Sequence, residues 1–448
     1  MTTHKQLHLN AFLMGNGHHE AAWRHPRSKP EQAGTLAHFA HLAQVAERGK
    51  LDSVFFADSL AINDNIRFNS MGRFEPLTLL SALAAVTEHI GLIATVSTTY
   101  NEPFHVARKF ASLDHLSNGR AGWNIVTSAR DDEAHNFSRD SNLGHADRYA
   151  RATEFLDVAI KLWDSWEDDA VLRDKASGVF ADTDKIHALD HSGEHFSVRG
   201  PLNVPRPVQG RPLLVQAGSS KDGKDFAARY AEAVFTAQQT LEEGQAFYSD
   251  LKARIAAFGR DPDGVKILPG ICAIVGSTEA EAKQFEQELN DLLNPEYGLR
   301  QLSSMLEHDL SAYPLDGPLP DIKSEDDING GKSRFTLVTD LAKRDNLTIR
   351  QLLARLAGGR GHRTFAGTPE QIADELEIWF TRGAADGFNV MPPLLPGGLE
   401  DFVDHVVPVL QKRGLFRTEY TGATLRDNYG LDRPASQFAP TPELELVS

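Results

Sequence analysis

IGLIATVSTTYNEPFHVARKFASLDHLSNGRAGWNIVT, residues 90–127, decides the fold. Residues 90–98 carry no charge and are rich in β-branched side chains, the composition of a strand buried on both faces. Residues 104–116 place Phe104, Ala107, Phe110, Ala111 and Leu113 at a helical period. Residues 121–127 return to an apolar run. Two parallel strands need such a helical crossover between them, so this stretch reads as one β/α/β unit.

The same alternation continues in both directions. Further apolar runs at 7–14, 52–57, 213–217, 233–237, 267–275 and 388–391 read as strands. Amphipathic or apolar segments at 31–48, 75–88, 147–166, 222–231, 242–258, 278–293, 369–382 and 400–412 read as the helices between them. Eight strands, each followed by a helix, predict an α/β fold, a (β/α)8 TIM barrel. The rival is an open, doubly wound sheet. Gly15-Asn16-Gly17-His18-His19-Glu20 after the first strand lacks the last glycine of a dinucleotide fingerprint and speaks against it.

The chain of 448 residues exceeds the roughly 250 a barrel needs. We read residues 1–448 as a single barrel domain with insertions at 168–211 and 294–363 and a C-terminal extension at 414–448. Both insertions are expected over the carboxyl-terminal mouth, and the extension is expected to wrap the barrel or a neighbouring subunit. The net charge of −16 argues against nucleic acid and anionic membranes as partners. No long apolar run predicts a membrane span, and the N-terminus lacks a signal-peptide core, so a cytoplasmic protein is expected. One cysteine, Cys272, inside an apolar run, predicts a buried core thiol and no disulfide.

Barrel chemistry gathers at the carboxyl ends of strands. His18 and His19 follow the first strand, Asp58 the second, Thr95 ends the third and Asn124 lies near the end of the fourth. His145 and Tyr149 share one face of the next helix start. They read as donors to a phosphate or a polar ring edge, or as an aromatic packing pair. Asp58 reads as an acceptor for a ring N–H or as a loop cap. Gly218-Ser219-Ser220 joins a strand to a helix and reads as an anion cradle or as an ordinary N-cap. Adjacent His18 and His19 point apart in an extended segment, so no metal site is expected. The mouth lacks paired carboxylates for glycosidase chemistry and a Gly-x-Ser-x-Gly elbow.

Three blocks resemble a known family. They are His8 to Met14 leading into Gly17-His18-His19-Glu20-Ala21-Ala22-Trp23-Arg24-His25-Pro26, then Val106 to Ser128, then Leu214-Val215-Gln216-Ala217-Gly218-Ser219-Ser220. Together they resemble the flavin-dependent monooxygenases of the bacterial luciferase-like superfamily, in the branch of nitrilotriacetate monooxygenase component A and dibenzothiophene-sulfone monooxygenase. The resemblance spans roughly residues 5–430 and implies the barrel independently.

It also implies reduced FMN supplied by a separate NAD(P)H-dependent flavin reductase, a two-component system. Asp58, Thr95, Asn124, His145, Tyr149, Ser219 and Ser220 match positions that bind the flavin, with Tyr149 and the two serines toward the phosphate. Oxygen chemistry through a C4a-(hydro)peroxyflavin is implied, oxidising a small organic substrate by C–N or C–S cleavage or hydroxylation. His18 and His19 are the candidates to face it. A homodimer or homotetramer is implied. Departures are a short 59–74 stretch and Met14 where an alkane-oxidising relative has a cysteine. An F420-dependent barrel oxidoreductase and a non-catalytic flavin-binding barrel are the alternatives. A polycarboxylate substrate would need cations, for which Arg67, Arg73, Arg130 and Arg139 are available.

Overall fold

The structure is a computed structural model that describes residues 5–62, 64–68, 74–322 and 332–438. Arg73, part of the 59–74 stretch, part of the second insertion and the end of the extension lie outside the described residues.

Four strands open the barrel: β1 (His8–Phe12), β2 (Ser53–Phe56), β3 (Gly91–Ser97) and β4 (Ala121–Val126). Two small hairpins follow, β5 (Val171–Asp174) with β6 (Val179–Ala181), and β7 (His191–Ser192) with β8 (Ser197–Val198). Then come β9 (Leu213–Gln216), β10 (Ala233–Thr236), β11 (Lys266–Val275), β12 (Arg363–Gly367) and β13 (Gly387–Val390). The ring runs β1-β2-β3-β4-β9-β10-β11-β13 and back to β1, every pairing parallel. All eight expected strands are in it, so the closed barrel stands and the open sheet does not.

Alternation along each strand sorts the core into two layers. In β3, Ile93 joins Phe12, Phe55, Val215, Phe235 and Cys272 inside the barrel. Leu92, Ala94 and Val96 pack outward against the helices. Those helices are α1 (Leu36–Arg48), α2 (Pro76–Ala84), α3 (Pro103–Leu116), α4 (Asp131–His135), α5 (His145–Trp163), α6 (Lys221–Tyr230), α7 (Leu241–Ala257) and α8 (Glu279–Asp291). Three more, α9 (Pro295–Leu306), α10 (Lys332–Arg344) and α11 (Ile349–Ala357), form the second insertion around an apolar cluster of their own. The order closes with α12 (Pro369–Thr381), α13 (Gly397–Asp401), α14 (Val407–Lys412) and α15 (Leu425–Asn428). Among the described residues, no helix is long and apolar enough to cross a membrane.

β11 does two jobs. Its first residues pair with β10 and its middle with β13, closing the ring. Ile271–Val275 then pair with Arg363–Gly367 of β12, a ninth strand that rises beside the mouth. The sequence does not announce β12, because it is short and only half buried.

Two expectations are corrected. The first insertion does not overhang the mouth. Its Gln209 amide donates to Asp114 at the end of α3 and to the carbonyl of Ala121, the first residue of β4. Its last residues therefore reach the amino-terminal end, while its β7–β8 hairpin packs along α5, where Glu154 accepts from the His195 and Phe196 N–H groups, because the chain enters it from that helix and not from a strand. The extension does not merely wrap the barrel. Leu425 and Tyr429 enter the barrel from below and join its interior core. A Cβ at Gly91 would meet Leu425 at 2.3 Å, and Tyr429 donates to Asn10 Oδ1 at 2.8 Å. Arg426 anchors this plug to buried Glu232 at 2.7 Å. Cys272 is buried as expected, and burial pushes its thiol pKa up.

Candidate active site

The mouth has an aromatic floor. Phe12, Phe55 and Phe235 come from the carboxyl ends of β1, β2 and β10. Their rings meet edge to face at centroid distances of 4.9, 5.4 and 5.7 Å. His18 packs its ring against Phe12 at 4.5 Å, with Nε2 2.9 Å from the Phe12 carbonyl. The loop that carries it is pinned at Gly17, which has φ +123° and lies so close to Pro393 that a Cβ would meet its carbonyl at 2.3 Å. His18 and His19 then donate their backbone N–H groups to Pro392 and Pro393.

The two histidines do point apart. His19 turns away from the floor, with Nε2 3.1 Å from Asn290 of α8. Burial lowers its pKa to about 4, with the Asn290 contact acting in the opposite direction.

Thr95 and Asn124 are register partners on β3 and β4. Asn124 donates from Nδ2 to Thr95 Oγ1 at 2.9 Å. Its Oδ1 is buried and has no hydrogen-bond partner among the described residues. That leaves an acceptor, and the Thr95 hydroxyl hydrogen, for a ligand. Asp58 lies just beyond β2 and accepts from the Ser59 N–H at 2.8 Å. Its loop is held by α4, whose Glu133 accepts from the Leu60 N–H and whose Asn136 neighbour donates to the Leu60 carbonyl.

Across the mouth, α6 begins at a cradle. The Tyr149 hydroxyl from α5 lies against the Gly218 and Gly223 backbones, 2.9 Å from where a Cβ would stand on either. Glycine is required at both positions for that approach. Burial raises the Tyr149 pKa, so the hydroxyl remains a donor. Ser220 caps α6 by accepting from the Gly223 N–H at 3.2 Å, so the N-cap reading is realised. Ser219 faces Thr236 at 3.5 Å. His145 pairs with Asp222 at 3.0 Å beside the same helix start. The i, i+4 spacing thus brings His145 and Tyr149 to one place, with rings 5.0 Å apart.

A cavity of about 580 Å3 has residues of both the cradle and the floor in its wall. Ser219, Ser220, Phe235 and Thr236 line it, with Gln238 from the β10–α7 loop and His362, Arg334 and Thr336 from the second insertion. The sequence reading named none of Phe235, Gln238, Arg334 or His362. Phe235 was visible as an aromatic near a strand end. The other three carry no local signal, because a long insertion delivers two of them. Arg130 is paired with Asp132, while Arg67 and Arg139 stack on Phe68 and Tyr100.

Residues 18–386 match the luciferase-like monooxygenase family. The chain belongs to that family. It is 56% identical to N-acetyl-S-(2-succino)cysteine monooxygenase from Bacillus subtilis, over 97% of this chain and 99% of that protein. It is 53% identical to nitrilotriacetate monooxygenase component A from Aminobacter aminovorans, over 98% and 99%. A solved structure of riboflavin lyase with modified FMN and riboflavin superimposes with a TM-score of 0.85 at 32% identity, covering 96% of this chain and 97% of that one. This luciferase-like protein is therefore a monooxygenase, and the mouth just described is its candidate active site.

Proposed function

We propose that the chain is the oxygenating half of a two-component system, binding reduced FMN delivered by an NAD(P)H-dependent flavin reductase and oxidising a small organic substrate with O2. The observation that carries this reading is a cavity whose wall holds Ser219 and Ser220 of the α6 cradle together with Phe235 of the aromatic floor. The donors fit FMN. The α6 N-terminus offers N–H groups and a favourable dipole to a phosphate. Tyr149, Ser219 and Ser220 add hydroxyls. Asn124 Oδ1 and the Thr95 hydroxyl offer an acceptor and a donor to a polar ring edge, near Asp58.

When bound, reduced FMN supplies the two electrons with which one oxygen atom of O2 enters the substrate and the other leaves as water. The chain's own contribution is positioning and dryness. Phe12, Phe55 and Phe235 exclude water from below. His362 and α10 close the side of the cavity toward the second insertion. His18, held by the Phe12 carbonyl and the Gly17 turn, is the side chain we place beside the reacting atoms. His19 positions the loop through Asn290. One relative is named as a "component A", which supports a separate reductase.

The test is anaerobic mixing of protein and reduced FMN with oxygenated buffer in a stopped-flow spectrometer. A flavin absorbance distinct from both the reduced and the oxidised forms, lasting longer than in free FMN, is expected. Oxidation at the free-flavin rate with no binding would overturn the reading. Hydride transfer to F420 without O2 use would replace it.

A further inference from the structure

The second insertion places a cation in the candidate active-site cavity, and among the described residues no carboxylate pairs with it. Arg334, near the start of α10, lines the cavity beside His362 and Thr336. Its Nη1 donates to the Arg360 carbonyl at 2.6 Å and its Nη2 to His362 Nε2 at 2.8 Å. Both partners are neutral acceptors. Arginine has five N–H donors in a fixed fork, so three are left over. Among the described residues none of these three has a partner and no carboxylate pairs with Arg334.

The other charges around it make this more pointed. Arg360 lies close enough to repel it. Three acids line the same cavity. Glu243 is paired with Arg344, and Asp250 with Lys224 and Arg254. The third, Asp340, is exposed at the rim. Desolvation, with Arg360 adding to it, lowers the Arg334 pKa to about 10, which leaves it charged at neutral pH.

The guanidinium is also built in. Gly361 has φ +89°, which favours glycine, and a Cβ there would stand 2.7 Å from Arg334 Nη1, so a larger residue would displace the group. Because arginine can only donate, His362 Nε2 must accept, and the ring is neutral. Stacking on Phe235 fixes that ring. The fork is thus held in one orientation before any ligand arrives. A desolvated cation held by neutral groups, with no counter-ion among the described residues, is a preorganised anion site.

We propose that Arg334 binds a carboxylate of the substrate, so that this enzyme acts on carboxylate-bearing molecules. The inference rests on the cavity being the substrate site of the proposed monooxygenase. The FMN phosphate has its own cradle at the α6 end, which leaves Arg334 for a second anion. Planar, bidentate pairing with a carboxylate is what a guanidinium fork does best, and a lysine would not replace it fully. His362 and Gly361 are positioning residues for the fork.

The test is calorimetric binding to the full chain, with nitrilotriacetate and N-acetyl-S-(2-succino)cysteine as probes, each against its methyl ester. Wild type, Arg334→Met and Arg334→Lys are compared, and FMN affinity is measured separately by fluorescence. At least one acid should bind wild type at least tenfold more tightly than its ester. Arg334→Met should erase that preference and Arg334→Lys restore part of it, with FMN affinity unchanged within twofold. If neither acid binds, or each acid binds no better than its ester, the proposal is wrong. Retention of the preference by Arg334→Met would overturn it as well. Should Arg334→Met not fold, the acid-against-ester comparison on wild type and Arg334→Lys decides. Loss of the flavin reading shows separately, as absence of FMN binding with the acid preference intact.

Discussion

His362 lies flat against Phe235, with ring centroids 4.8 Å apart and planes 2° from parallel. The first residue comes from the end of the second insertion and the second from β10. Their stack is the seam along which the insertion meets the barrel mouth. Burial and the nearby Arg334 and His18 hold the His362 pKa well below its ordinary value, so the ring is uncharged at working pH.

His362→Ala should open that seam to water. The expected result is a severalfold fall in product formed per O2 consumed, with hydrogen peroxide making up the difference and FMN affinity within twofold of wild type. His18→Ala should uncouple in the same way. His19→Ala, which only loosens the loop at its α8 contact, should lower coupling less than His18→Ala does. Oxygen-electrode and peroxide assays check all three, and unchanged coupling in His18→Ala would remove it from the mechanism.

Tyr149→Phe removes one hydroxyl from the α6 cradle while keeping the ring against Phe226, 5.9 Å away. FMN binding should weaken by about 1 kcal/mol, somewhat less than tenfold. Gly218→Ala should do worse, because its Cβ would stand 2.4 Å from Gln216 Nε2 and 2.9 Å from the Tyr149 hydroxyl. Fluorescence titration of FMN measures both. Equal affinity in Gly218→Ala would place the phosphate elsewhere.

Acid stability follows from His19. Its folded pKa is lowered to about 4, while an unfolded chain takes up the same proton near the ordinary value of 6.5. The unfolded state therefore binds more protons between those values. His19 contributes fully above pH 6.5, and the contribution falls as pH drops toward 4, by on the order of 3 kcal/mol in all. Glu20 has the opposite sign. Burial raises its pKa to about 7, so its contribution is present below the ordinary 4.5 and is lost as pH rises through 7. His19→Gln should flatten the acid limb and Glu20→Gln the neutral one. Urea midpoints at pH 4.5, 6 and 7.5 read both slopes.

The barrel plug sets global stability. Leu425→Ala should cost about 3 kcal/mol, because its side chain fills the space that Gly91 leaves and, with Ile93, the space beside Gly122. Arg426→Met should cost a similar amount, since it removes one of the two cations, Arg426 and Arg211, that hold buried Glu232 at a pKa of about 2. Equilibrium denaturation checks both. A Leu425→Ala variant as stable as wild type would mean that the plug is dispensable.

Sequence alone determined the eight barrel strands and most of the helices around them. A strand buried on both faces prints an unbroken apolar run, and a helix packed on one side prints a 3.6 period, so both survive without neighbours. It also determined the proximity of His145 to Tyr149, because an i, i+4 spacing is local geometry. It brought the Ser219–Ser220 cradle to notice for the same reason, as a glycine and two hydroxyls at a strand-to-helix junction. The tertiary structure decided the rest. Which barrel end the first insertion covers, where Leu425 and Tyr429 insert, and the meeting of Arg334 with His362 over Phe235 all depend on contacts between distant segments. Such contacts leave no period in the chain. Arg334 looks like any helix-surface cation until the fold shows that it lines the same cavity as Ser219, Ser220 and Phe235.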